Sequence, residues 1–338
     1  MSVSSSGTAL RRICLGAATT LVLAFAISAC GGDSGSEGSD QPVEATKATL
    51  VLDYLPNGVH AGIYHALAAG YYEDEGIDLK VITPTSTADT LRLIEAGKAD
   101  FGLADSLDIA TQIDNGLGAK GIMAITQRPN GGLVTLADED IVDPAGLEGK
   151  TVGVTGVPSD KAVFETMVKD AGGDPSKSKV VTIGFNGVQA LQAGKISAFT
   201  GYVAADATAI QNAGQKTRSF AFDEFGGPAS PGLVAFSTES RIKEDPDLMD
   251  GFVAATVKGY QDALADPGQA VSDLVEAGNG IDSDLALKTF EAYEPLIGET
   301  GKVGTFDADS LTGLSDFMVE RDLIAEPIPP DRFATIDR

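Results

Sequence analysis

Apolar and polar positions alternate along this chain in two different rhythms, and the rhythms take turns. "ATLVLDY" (48–54) reads as a strand and "AGIYHALAAGYYEDEG" (61–76) as a helix. "IDLKVITP" is a strand, "TADTLRLIEAG" a helix, "ADFGLAD" a strand, "DIATQIDNG" a helix and "AKGIMAITQ" a strand. Strands and helices alternating at this spacing predict parallel sheet with crossover helices. A second series begins at "KTVGVTG" (150–156), followed by the helix "PSDKAVFETMVKDAGG", which has a proline at its start. It runs on through strands at "KVVTIGF", "ISAFTGY" and "TRSFAF", with helices between them. From about Arg241 the chain reads as mostly helical, and Leu248, Phe252, Val253, Val257 and Tyr260 form a core stripe at helical spacing.

The two series echo each other. "LIEAGKADFGLAD" aligns with "ALQAGKISAFTGY" through Gly97-Lys98 and Gly194-Lys195, so each has a helix stop, a turn and a strand ending in polar groups. A Gly-Lys turn between helix and strand is common by itself. Two similar α/β lobes with facing strand ends would form a cleft, because ligands of open α/β sheets sit outside the strands' carboxyl ends. "GGLVTLA" (131–137) and "PGLVAFS" (231–237) bracket the second series as extended crossovers, and two parallel connections permit hinge closure. The expected lobes are residues 48–134 with 235–338, and residues 135–234.

The N-terminus changes the picture of where the chain works. Arg11 and Arg12 precede an uncharged run from Ile13 to Ala29 and then Cys30, the order of a secretory signal. Ile27-Ser28-Ala29-Cys30 matches a lipoprotein signal, so residues 1–29 would be removed and Cys30 lipidated. Residues 30–47 are small, polar and acidic and read as a flexible tether. The expected location is the extracytoplasmic face of the cell membrane, held by the lipid alone. With Cys14 in the signal and Cys30 acylated, both cysteines are used, so the mature globule has no thiol for a disulfide, a metal or a nucleophile.

About 300 residues remain after cleavage, enough for two domains. A formal net charge of −25 over 338 residues leaves no basic face for nucleic acid. We expect a monomer with no cofactor and no metal site.

Candidate chemistry gathers at strand ends. Tyr54 ends the first strand and offers a face on which a flat ligand can stack. Asn57 precedes a glycine, where a turn explains it as well as a contact does. His60, one of two histidines, starts a helix and suits either packing or contact; His65, five residues on, points elsewhere and makes a poor metal pair. Ser106 can cap a helix or bind. Thr126 and Gln127 end the last strand of the first series. Arg128 would admit an anion if it pointed inward. Thr155, Gly156 and Ser159 enter a helix whose free amides suit a neutral polar group, since Asp160 repels anions. Gly201 and Tyr202 form the matching strand end across the cleft.

With these residues in view, the chain resembles the thiamine-precursor (pyrimidine) binding branch of the periplasmic ABC-importer substrate-binding proteins. That branch is related in fold to fungal thiamine-pyrimidine synthases and to nitrate, sulfonate and taurine-binding proteins. The motif is carried by Asp53, Tyr54, Pro56, Asn57, His60 and Gly62, then Gly70, Tyr71, Tyr72 and Gly76; "LIEAGKADFGLADS" and "FDEFGGPASPGLVAFS" extend it over most of residues 48–325. The motif's tryptophan is Tyr54 here, in a chain without tryptophan. The resemblance implies a type II periplasmic-binding-protein fold: two α/β lobes with a hinge of two extended crossovers. It implies a small-molecule ligand and an ABC permease with its ATPase as partners. The leading ligand is a thiamine-related pyrimidine, and riboflavin or an alkyl sulfonate, nitrate or taurine is the alternative. A pyrimidine ligand wants an acid for its ring amine, for which Asp206 is the candidate, and a second aromatic face from Tyr202 or Phe185. Catalysis is not expected, because the positions matching the synthases' lysine and histidine are Ala104 and Asp108.

Overall fold

Two five-stranded sheets of the same design organise the chain, with strand orders β2-β1-β3-β10-β4 and β7-β6-β8-β5-β9. The computed structural model describes residues 45–278, 280–298 and 300–336. The expected signal peptide, Cys30 and all but the end of the tether lie outside them. In chain order the elements begin β1 (Thr46–Val51), α1 (Ala61–Ala68), α2 (Tyr71–Asp74), β2 (Ile77–Ile82), α3 (Thr87–Glu95), β3 (Phe101–Asp105), α4 (Ser106–Asp114) and β4 (Ala119–Ala124). The chain crosses to β5 (Gly131–Leu136), β6 (Thr151–Val154), α5 (Pro158–Asp170), β7 (Lys179–Thr182), α6 (Gly187–Gln192), β8 (Ala198–Tyr202), α7 (Val203–Asn212) and β9 (Thr217–Ala221). It returns through β10 (Leu233–Thr238). It closes with α8 (Glu239–Glu244), α9 (Pro246–Ala265), α10 (Pro267–Glu276), α11 (Ser283–Ile297), α12 (Ala308–Glu320) and α13 (Pro330–Phe333).

In each sheet three strands run parallel, β1, β2 and β3 in one and β6, β7 and β8 in the other. Each sheet then takes one antiparallel strand from beyond a crossing: β5 beside β8, and β10 between β3 and β4. The segments expected to be mere connectors are therefore internal strands. Their sequences explain this, since "GLVTL" and "LVAFS" are nearly continuous apolar runs that can be buried on both faces. The expected lobe limits at 134/135 and 234/235 fall inside these two strands, and the crossings lie just ahead of them. The crossings are bonded to each other: Ile125 N–H donates to Leu233 O at 2.8 Å, and Gly232 N–H donates to Thr126 O at 3.2 Å.

Edges differ from centres as the sequence requires. β2 alternates buried Ile77 and Leu79 with exposed Asp78 and Lys80. β7 is exposed along most of its length and begins with Lys179, a charge that discourages pairing with another chain. β1 starts at Thr46, pairing with Ile77, so the last two residues of the expected tether, 46 and 47, belong to the strand.

Helix ends follow local chemistry. Gly97 and Gly194 take φ of 62° and 65°, the left-handed turn that stops α3 and α6 and launches β3 and β8. The helix expected over 61–76 breaks at Ala69-Gly70, where Gly70 has φ 76°. In the last segment, Asp245, Asp266, Asp282 and Asp307 each accept a backbone N–H at the start of a helix. Of the expected core stripe, Leu248, Phe252 and Tyr260 are fully buried, and Val253 and Val257 pack partly against them.

Candidate functional site

The carboxyl ends of β1, β3, β6, β7 and β8 converge on one interlobe pocket enclosing about 810 Å³ of unfilled space, its open mouth included. Its position is the one where open α/β sheets bind their ligands.

One wall is aromatic. Tyr54, just past β1, sets its ring 4.6 Å from Phe185 at 78° and 5.6 Å from Tyr202 at 84°. Phe185 and Tyr202 come from the second lobe, so the three rings meet across the gap edge to face. Burial, and then the nearby Asp206 and Asp53 carboxylates, push the Tyr54 phenol well above its ordinary range.

The rest of the pocket is acidic. Asp105 ends β3, Asp108 lies in the first turn of α4, Asp160 in that of α5 and Asp206 in that of α7. All four line the pocket, and no lysine, arginine or histidine does so among the described residues. Protein donors hold each one. Ser159 Oγ donates to Asp108 Oδ1 at 2.6 Å, a buried bond between the lobes. Thr155 donates to Asp160 from its N–H at 2.9 Å and also from its hydroxyl. Tyr202 N–H donates to Asp206 Oδ2 at 2.9 Å. Burial nevertheless raises these acids: Asp108 to about 7, Asp160 to about 6 and Asp206 to about 7. Asp105 is raised well above the usual carboxylate value, by burial first and then by Asp108, Asp53 and Asp160. Two neutral groups complete the site. Ser106 is fully buried and Asn130 is 2% exposed. Among the described residues the Ser106 hydroxyl and both amide atoms of Asn130 make no hydrogen bond of good geometry.

Of the residues expected at the site, Tyr54, Ser106, Thr155, Ser159 and Tyr202 line this pocket, whereas Asn57, His60 and Gln127 do not. Asn57 caps the 3-10 turn Gly58–His60, its Oδ1 accepting Val59 N–H at 3.0 Å. His60 is fully buried beneath the floor. Its Nδ1 accepts the Asn57 N–H at 3.1 Å, which leaves Nε2 to donate to Asp53 Oδ1 at 2.9 Å. Gln127 turns away and donates to Lys302 O at 3.0 Å. Arg128 also turns away: it is half exposed and its guanidinium holds Asp223 at 2.6 Å. His65 lies on the far side of α1, paired with Asp273 at 2.6 Å.

Sequence reasoning singled out Asp206 and Phe185, and both are in the pocket. It missed Asn130 and Asp105 as lining groups, and it read Asp108 and Asp160 one at a time. A signal was present. Asp108, Asp160 and Asp206 each stand in the first turn of a helix that leaves a strand end. An acid there reads as ordinary dipole compensation, and only the fold shows that three such turns face one space.

Known proteins resemble this chain over most of its length. A formylaminopyrimidine-binding protein from Halalkalibacterium halodurans is 26% identical over 317 residues, covering 92% of this chain and 95% of that protein. A 4-amino-5-hydroxymethyl-2-methylpyrimidine phosphate synthase from Legionella pneumophila is 24% identical, covering 75% of this chain and 81% of the enzyme. Among solved structures, the alkanesulfonate-binding protein SsuA from Xanthomonas axonopodis superposes with a TM-score of 0.70 at 12% identity, over 87% of this chain and 99% of that one. The periplasmic aliphatic sulphonate binding protein SsuA from Escherichia coli gives 0.67 at 12% identity, over 85% and 96%. These superpositions fix the architecture as the periplasmic-binding-protein fold, with two α/β lobes on a double crossover. The sequence match extends over residues 57–270, and the chain belongs to the NMT1/THI5-like family.

Proposed function

We propose that this chain is the substrate-binding lipoprotein of an ABC importer. In this reading it captures a small planar aminopyrimidine, a thiamine-related precursor, between its lobes and passes it to a membrane permease. The observation that carries this reading is the pairing of three aromatic rings, Tyr54, Phe185 and Tyr202, with a carboxylate, Asp206, in one interlobe pocket. A flat heteroaromatic ring gains about 0.5–1.5 kcal/mol from such faces beyond its buried area. Its exocyclic amine needs an acceptor, which Asp206 supplies from the pocket lining. The similarity to a formylaminopyrimidine-binding protein supports the same choice.

An anionic guest fits poorly. Among the described residues the lining contains acids and no basic side chain, and Arg128 is committed to Asp223. This argues against a sulfonate or nitrate despite the shared fold. A binding role is favoured over a synthase-like one because Ala104 and Asp108 stand where the synthases' lysine and histidine are expected. We take Cys30 as the lipid attachment point and residues 30–47 as the tether, which puts the pocket on the extracytoplasmic face.

Calorimetry on the purified full-length chain tests this against aminopyrimidines, riboflavin and taurine. The expected result is saturable binding of an aminopyrimidine, with thermal stabilisation. No response to any pyrimidine, together with clear binding of taurine, refutes it.

A further inference from the structure

The pocket holds more acid than a neutral aminopyrimidine uses. Asp206 stands by the aromatic wall and serves the ring amine in the reading above, on which this inference rests. The other three, Asp105 and Asp108 from the first lobe and Asp160 from the second, form a separate group in the same pocket. Asp108 and Asp160 carry hydrogen bonds from Ser159 and Thr155, and Asp105 has one from the side chain of Tyr202. A carboxylate has roughly four acceptor positions, so each retains free capacity. Among the described residues no basic side chain lines the pocket to offset them.

A cluster of acids can be a mere accident of packing, but here the same space has unmet polar groups. Ser106, fully buried, has a hydroxyl with no partner. Asn130, 2% exposed, has neither its oxygen nor its nitrogen in a hydrogen bond of good geometry among the described residues, although its side chain interacts with the Tyr293 hydroxyl. Buried polar atoms are nearly always satisfied, and these line a pocket, so a polar guest is their natural partner. A metal ion is the wrong cation, because no three His, Cys, Asp or Glu side chains among the described residues are set to hold one. A primary ammonium brings one positive charge and three donors.

We infer that the guest is a cation: a planar ring carrying a protonated primary amine that lodges among Asp105, Asp108 and Asp160. The chain thereby selects an aminomethyl-pyrimidine over its hydroxymethyl, formylated and phosphorylated counterparts. Proton traffic follows from the arrangement. Burial holds Asp108 and Asp160 partly protonated near neutrality and raises Asp105 in the same direction. An ammonium stabilises their ionised forms, so it displaces protons as it binds, and affinity climbs as pH rises through about 6 and 7. The other ionisable groups facing the cluster are Asp53, Asp206, Tyr54, Tyr202 and Tyr293. Asp206, raised in the same way, acts in the same direction, and the three phenols are pushed further from the neutral range.

Calorimetry on the full-length chain at pH 7.5 should compare 4-amino-5-aminomethyl-2-methylpyrimidine with its 5-hydroxymethyl, N-formyl and phosphate-ester counterparts, and with benzylamine. The amine should bind at least about tenfold tighter than either neutral pyrimidine, the range of one charged hydrogen bond, and the phosphate ester should not bind. Titration in two buffers of different ionisation heat should show net proton release. Asp105→Asn and Asp160→Asn should each remove most of the tenfold preference for the amine over the hydroxymethyl compound. The amide oxygen of Asp160→Asn can still accept the Thr155 bonds, so this variant should keep the fold, as a melting curve will show. A neutral pyrimidine binding as tightly as the amine overturns the inference and leaves the pyrimidine reading intact. Benzylamine binding without any pyrimidine overturns the pyrimidine reading and leaves the cation inference intact. If nothing cationic binds, the inference is wrong.

Discussion

Replacing His60 by alanine should damage the fold and spare the ligand. The imidazole is fully buried and Asp53 is 2% exposed. Nε2 donates to Asp53 Oδ1 at 2.9 Å, and Nδ1 accepts the Asn57 amide at 3.1 Å. Without the ring, Asp53 is a buried acid with no partner, which costs roughly 3–5 kcal/mol. The freed Asn57 amide adds about 1 kcal/mol unless water reaches it. For a chain of this size each kcal/mol moves Tm by about 2–4 °C, so Tm should fall by roughly 6–24 °C. Urea unfolding of the parent, His60→Ala, Asp53→Ala and the double variant measures the loss and the coupling between the two residues. The double variant should be clearly less damaged than the sum of the singles, because removing both partners leaves no orphan. Well below Tm, His60→Ala should bind an aminopyrimidine within about threefold of the parent, since a supporting residue off the pocket makes no contact whose loss is worth a factor of ten. A His60→Ala protein of parental stability with a tenfold loss of affinity would refute the assignment of this residue to the scaffold.

Three further outcomes are expected. Tyr54→Ala should weaken aminopyrimidine binding about tenfold with little change in Tm, while Tyr54→Phe keeps the face and most of the affinity; equal binding by all three proteins would remove Tyr54 from the site. Because Asp108, Asp160 and Asp206 titrate at about 6–7 in the fold, above the ordinary value of 3.8, the folded chain holds extra protons. Stability contributed by these groups is present below pH 4 and is lost as pH rises through 7, so Tm should decline from pH 5 to pH 8 and decline less in Asp206→Asn; a rise across that window contradicts the burial argument. Gly232→Ala would place a methyl carbon 2.6 Å from Arg128 O and from Asn130 Oδ1, which should cost about 1–3 kcal/mol in urea unfolding; parental stability would show that the crossing relaxes freely.

Much of the architecture was legible because short-range chemistry dictates it. The alternation of periods gave the strands and helices of both lobes, and Gly97 and Gly194 marked equivalent helix stops in both. The strand exchange was not legible. "GLVTL" and "LVAFS" have the composition of buried strands, but nothing local says that each enters the sheet on the far side of its crossing. At the site, position along a strand end located Tyr54, Ser106 and Tyr202, because the fold sets what lies beyond a parallel strand. It misled for Asn57, His60 and Gln127, which are equally near strand ends but satisfy the backbone or a buried acid. The acids of the pocket were hidden for the opposite reason. Each has a sufficient local explanation at a helix start, and their shared role arises from contacts about fifty residues apart, such as Ser159 with Asp108.

The two crossings have a consequence for engineering. Thr126 and Gly232 are joined by a 3.2 Å bond, so the whole excursion through β5 to β9 departs and returns at one spot. Cutting there and splicing the stumps with a short peptide should leave a coherent base. The excised half should tolerate its own two tails being linked and new ones opened at a surface turn such as Gly172-Gly173. Halves from relatives with other tastes are then exchangeable as cassettes, each graft redrawing one wall of the cavity while the other stays as it was.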